Sequence, residues 1–137
     1  MLGSETKTSE ILKGLNQSLL RNINYEFLLY GNEGNIHKYI EKYKKLKKAS
    51  TIFHCEEFVS MSDKPSDIIK SKNTSMFLAI ESVKQKNSDA VLSFGNTGAL
   101  MSLSLLHLKT LNLIKRPAIA TIWPNMIGES IVLDLGA

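Results

Sequence analysis

The chain has 137 residues, 43% apolar and 22% charged, with a net charge of +4, three prolines and one cysteine. That length holds one domain with a real core and is short for two, and the composition excludes low-complexity and disordered classes. Cys55 alone excludes an internal disulfide and fits a reducing cytosol. No Cys/His pair has zinc spacing, and the longest apolar run, 99–108, is too short to span a bilayer. With no apolar core of a signal peptide near the N-terminus, a soluble cytoplasmic protein is expected.

In chain order, Ile11, Leu12, Leu15, Leu19 and Leu20 recur at helical spacing, which predicts a first helix near 8–22 with Thr6, Thr8 or Ser9 as cap. Residues 25–30 read as a strand ended by Gly31. The next helical pattern puts Ile36, Tyr39, Ile40, Tyr43 and Leu46 on one face and Lys38, Lys42, Lys44, Lys45, Lys47 and Lys48 on the other. This explains why residues 1–50 carry nine Lys/Arg against five Asp/Glu, while the remainder carries eight of each. A solvated outer face is one reading of those lysines. Nucleic acid is disfavoured because both tyrosines fall on the apolar side and leave no ring free for stacking, whereas an acidic protein or anionic lipid stays open.

A second strand is expected at 51–55, and Asp63-Lys64-Pro65 opens a capped helical turn. Residues 75–86 form a helix with Met76, Phe77, Ile80 and Val83 inward. A strand at 89–93, a helix over 98–108 and strands near 118–123 and 130–135 complete an α/β pattern with a largely parallel sheet. An opening strand is missing from that pattern, and the sequence stops directly after its last strand, so the 137 residues are expected to form a single but partial α/β domain.

Ligands in such sheets bind beyond the carboxyl ends of the strands, where Ser93-Phe94-Gly95-Asn96-Thr97-Gly98-Ala99-Leu100-Met101 is placed. A tight strand-to-helix turn wants small residues for its own sake. It is also the form of a phosphate cradle, because glycine lets an anion approach the unpaired N–H groups and the positive dipole end of a helix. Asn96 or Thr97 supplies the N-cap. Lys72 is a candidate partner for a phosphate oxygen, and Ser75 a candidate helix cap or donor to the same anion. His54, at a strand end, is a weak candidate acid or base, beside the reading of a structural histidine. Cys55 reads as a buried, inert thiol and Arg116 as structural, and Asp134 is placed to line the site.

Five motifs in order resemble the PlsX family of phosphate acyltransferases. They are His54-Cys55-Glu56-Glu57 with Met61-Ser62-Asp63-Lys64-Pro65, Lys72-Asn73-Thr74-Ser75-Met76, the glycine loop, Arg116-Pro117-Ala118, and Leu133-Asp134-Leu135-Gly136-Ala137. The resemblance implies a three-layer, Rossmann-like α/β fold related to isocitrate and isopropylmalate dehydrogenases, acting as a homodimer. It also implies transfer of a fatty acyl group from acyl carrier protein to inorganic phosphate, with the acyl phosphate passing to a membrane glycerol-3-phosphate acyltransferase. Phosphate is itself the nucleophile, so neither a metal nor a redox cofactor is required. The phosphate-binding set it implies is Gly95, Asn96, Thr97 and Gly98, with Lys72, Ser75 and Asp134 beside it.

The sequence departs from that pattern in places. Met1-Leu2-Gly3-Ser4 stands where members carry Asp-Ala-Met-Gly-Gly-Asp, Ser71-Lys72-Asn73 replaces Lys-Lys-Asp, and Pro124-Asn125 replaces Pro-Thr. Less than half of a typical member is present. Two other readings follow: a non-catalytic remnant that keeps the phosphate loop, and a basic module that binds lipid or a carrier protein at a membrane periphery.

Overall fold

A computed structural model describes residues 7–21, 24–115 and 117–134. The expected opening at 1–4, Arg116 and the end of the last motif at 135–137 lie outside them.

Helix α1 (Thr8–Leu19) leads to strand β1 (Phe27–Gly31), helices α2 (Glu33–Ile40) and α3 (Lys44–Lys48), and strand β2 (Ser50–His54). The two strands pair in parallel, Phe27 opposite Ser50 through Gly31 opposite His54, as the connecting helices require. Leu12, Leu29, Ile36, Ile40 and Leu46 form one buried cluster between this pair and the three helices. Helix α1 has no side-chain cap: Lys7 is its N-cap, and Thr8 and Ser9 already lie inside the first turn. The single lysine-rich helix expected from the pattern is two helices broken at 41–43, because Tyr43 turns out of helical geometry at the start of α3.

Helix α4 (Pro65–Ile68) opens on proline, as expected, and is followed by α5 (Ser75–Lys84) and α6 (Thr97–Leu108). Val59, Ile68, Met76, Phe77, Ile80, Ala99 and Leu103 make a second buried cluster, and α5 packs on both α6 and β1. The end of α5 is fixed by paired bonds from Lys86 N–H to Val83 O (3.0 Å) and Asn87 N–H to Ser82 O (2.9 Å), with Lys86 at φ 63°. This double closure places a lysine where glycine is favoured.

Two expectations fail here. The stretch 89–93 is not a strand: no described strand runs alongside it to complete a ladder, and an extended segment without a partner has no sheet. The last two strands, β3 (Ala120–Pro124) and β4 (Glu129–Leu133), pair antiparallel as a hairpin apart from β1 and β2, so the described strands form one parallel and one antiparallel pair. Their order is local because Asn125 builds the turn. Its Oδ1 accepts from the N–H groups of Ile127 and Gly128, both at 2.9 Å, and its Nδ2 donates to Ser130 Oγ at 2.9 Å. The hairpin leaves Ile122, Trp123, Ile131 and Leu133 exposed. No helix of the described residues is long and apolar enough to cross a membrane.

Candidate phosphate cradle

The loop 95–98 ends in the first turn of α6, and Asn96 is its N-cap: extended at φ −60° and ψ 114°, it accepts the N–H of Ala99 on Oδ1 at 3.0 Å. The other end of the same amide is also engaged. Nδ2 donates to the carbonyls of Ser60 and Met61, each at 3.3 Å, which ties the helix start to the turn leaving β2. Behind it, Gly95 N–H donates to Ser93 Oγ at 3.3 Å, and Leu100 N–H returns to Asn96 O at 3.0 Å. Asn96 is therefore a positioning residue, with its side chain fully committed.

The N–H groups of Thr97 and Gly98 find no acceptor among the described residues. They are the orphan donors of a twelve-residue helix, at its positive end. Gly98 has neither positive φ nor a crowded neighbour, since a Cβ built on it would meet only Asn96 Oδ1, at 3.5 Å. Within the chain, glycine is not needed there for folding, and it costs helix stability. What its bare Cα supplies is a backbone that a bulky anion can approach.

The other candidates fall in different places. Ser75 is buried as the first residue of α5, with its N–H on Glu57 O at 3.0 Å. The expected cap is instead Thr74, whose Oγ1 accepts from Phe77 N–H at 3.3 Å, because Thr74 is the last extended residue and Ser75 is already helical. Lys72 is exposed in the bend before that cap. Helices α5 and α6 pack together, but no hydrogen bond joins Lys72 or Ser75 to residues 95–98. Asp134 lies beyond β4 at φ 61°, its N–H on Ile119 O at 2.8 Å, and belongs to the hairpin.

His54 is placed at the carboxyl end of β2, where its Nδ1 accepts the N–H of Glu33 at 3.2 Å and its Nε2 faces Glu56 Oε1 at 3.3 Å. The first bond fixes the tautomer and makes the ring a cap for α2. Cys55 follows in the core, 6% exposed, and burial pushes its thiol above the ordinary range. The thiolate a nucleophile needs is thereby disfavoured.

A cleft of about 400 Å³ lies beside the Ser60–Met61 tie and includes Glu56, Glu57, Asp63 and Asp67 in its wall. Asp63 Oδ2 accepts from Ser60 N–H at 2.7 Å and stiffens the turn that holds Asn96. Four carboxylates make this cleft hostile to phosphate, so the helix end offers the better anion site. The sequence reading missed Ser60 and Met61 because they act through backbone carbonyls. Thr74 and Ser93 stood inside quoted motifs without a role.

The family model described as "Fatty acid synthesis protein" matches residues 1–137. The chain belongs to that family. Its curated relatives include proteins named phosphate acyltransferase from Rhodopseudomonas palustris (strain BisB18) and Bradyrhizobium diazoefficiens, each 46% identical over 99% of this chain and 39% of the relative. One from Rhizobium meliloti is 40% identical over all of this chain and 40% of the relative. This member of the fatty acid synthesis protein family thus spans about two fifths of the length of the curated relatives it matches, and its loop 95–98 lies within the matched span.

Proposed function

We propose that the chain carries the phosphate-binding part of a phosphate acyltransferase of the PlsX type, acting on fatty acyl thioesters of acyl carrier protein. The observation that supports this best is the start of α6: two unpaired N–H groups, a glycine the fold does not require, and a cap amide tied on both ends. In the reaction a phosphate oxygen attacks the thioester carbonyl carbon and a tetrahedral oxyanion forms. The C–S bond then breaks, the sulfur leaves with the electron pair and takes a proton as the free carrier thiol, and the acyl group remains on phosphate. The Thr97 and Gly98 N–H groups hold the phosphate, and Lys72 supplies a mobile countercharge. Neither His54 nor Cys55 is needed, since phosphate is already a nucleophile.

The same reading includes the three-layer fold related to isocitrate and isopropylmalate dehydrogenases, a homodimer, a cytoplasmic location, and hand-over of product to a membrane glycerol-3-phosphate acyltransferase. Release of free thiol from acylated carrier protein, dependent on added phosphate and lost in Gly98→Val, is the expected result. Thiol release at the same rate without phosphate refutes it. A second reading, binding without turnover, is favoured by the unpaired stretch 89–93 just before the cradle. It predicts that phosphate raises the melting temperature while no acyl phosphate forms.

A further inference from the structure

Helix α6 carries no Asp, Glu, Lys or Arg, and its apolar residues run nearly all the way round it. A helix of that kind is normally covered on every side. Here the cover is one-sided: Ala99 and Leu103 are enclosed in the core, while Leu105 and Leu108 stay 40% and 37% exposed. At about 100° per residue, Thr97, Gly98, Met101, Leu105 and Leu108 share the outward side, one turn after another. The uncovered stripe therefore begins at the two N–H donors of the cradle.

A groove of about 130 Å³ lies on this stripe, walled by Met101, Ser104, Leu105, Leu108, Lys109 and Pro117. An apolar cavity of about 150 Å³ accommodates benzene, so the groove has room for on the order of six carbons. Leu108 stands roughly 16 Å along the helix axis from Thr97, a span suited to an extended fatty chain with its head at the cradle. Lys109, at φ 64°, leaves the helix at the far end of the groove. The acidic cleft is a poor alternative, because an apolar chain there would strip water from carboxylates. Leu92 and Phe94, also exposed, line neither cavity.

We infer that the groove along Met101, Leu105 and Leu108 holds the hydrocarbon chain of the fatty acyl group, with Lys109 and Pro117 limiting its length. The inference rests on the phosphate cradle proposed above and names the acyl part of the same site. A carbonyl held at the cradle sets the first methylenes beside Met101, and later ones reach Leu108. Leu105, midway along the groove, is the residue that sets which chain lengths are accepted.

The test titrates ethyl-, hexyl-, decyl- and tetradecylphosphonate into the full chain by calorimetry, below their micelle concentrations, beside inorganic phosphate and decanol. Affinity should rise about twofold to fourfold per methylene from ethyl to decyl and level off by tetradecyl. Leu105→Trp, which fills the middle of the groove, should weaken decylphosphonate about thirtyfold and ethylphosphonate far less. Ile122→Ser removes exposed apolar surface from the hairpin and should leave the series unchanged, with circular dichroism confirming that both variants fold. In the wild type alone, affinity that does not change with chain length while phosphate still binds overturns the inference and leaves the cradle standing. Failure of phosphate and of every phosphonate refutes the cradle. Decanol, which has the chain without the anion, then decides the groove: binding that Leu105→Trp abolishes supports it, and no binding overturns it. Equal loss in the two variants also overturns it. So does a wild-type dimer in sedimentation velocity that Leu105→Trp dissociates, since a second copy of the chain then covers this face.

Discussion

Replacing Gly98 by alanine separates the folding role of the cradle from its binding role. The position is the second residue of α6, and the new methyl meets only Asn96 Oδ1, at 3.5 Å, an ordinary van der Waals distance. Alanine exceeds glycine in a helix by up to about 1 kcal/mol, and a first-turn site realises part of that, so stabilisation by about 0.5 kcal/mol is expected. For a chain of this size that is a rise of roughly 1–3 °C in melting temperature. A phosphate held by the Thr97 and Gly98 N–H groups should raise the wild-type transition further, in proportion to RT ln(1 + [L]/Kd), and the methyl should reduce or abolish that increment. Thermal denaturation of both proteins over a phosphate series reads both effects. A variant that melts lower without phosphate refutes the claim that folding does not need this glycine. One that keeps the full phosphate increment refutes the claim that the bare Cα serves the anion.

Asn96→Ala removes a cap and two ties to the Ser60–Met61 turn, so chemical denaturation should show a loss of about 1–2 kcal/mol, and Asn96→Asp, which keeps the cap but sets a carboxylate against two carbonyls, should not restore it. Lys86→Gly should stabilise the chain by about 1 kcal/mol in the same measurement, because the left-handed conformation at φ 63° strains any residue with a Cβ. The Cys55 thiol has its folded-state pKa raised by burial above the unfolded value of about 8.5. Stability is therefore fully present below that value and falls as pH rises toward the folded value, since only the unfolded chain then releases the proton. Cys55→Ser should flatten that alkaline slope, and aromatic disulfide reagents should label the native thiol far more slowly than the unfolded one.

Sequence patterns located what is decided locally. The apolar spacing of Ile36, Ile40 and Leu46 and of Met76, Phe77 and Ile80 marks faces that are buried, and the proline at 65 and the glycines before 99 mark the helix starts at α4 and α6. Failures occurred where pairing decides. Residues 89–93 have strand composition, but a strand exists only with a partner, and periodicity does not name one. Whether two late strands lie parallel to the first two or fold on each other depends on the turn, and Asn125 carried that information unread. At the site, Gly95, Asn96, Thr97 and Gly98 were legible as a cluster. The division between them was not: Asn96 as a tie and the next two N–H groups as donors depend on where the Ser60 and Met61 carbonyls fall, and any residue type has a carbonyl.

The location of the buried clusters bears on what the chain can do by itself. The cradle starts a helix whose Ala99 and Leu103 are fully enclosed with Val59, Ile68, Met76, Phe77 and Ile80, so its geometry rests on a core made between residues 59 and 103. The hairpin that carries Asp134 shares none of that core and leaves Trp123 56% exposed. The anion site proposed at the start of α6 therefore depends on that core and not on the hairpin. Leu103→Ala, which empties space directly under the cradle, should cost about 2–5 kcal/mol and release the phosphate increment with it. Trp123→Ala should leave both nearly unchanged. If phosphate protection instead follows the hairpin substitution and survives the core one, the anion site is not at the start of α6.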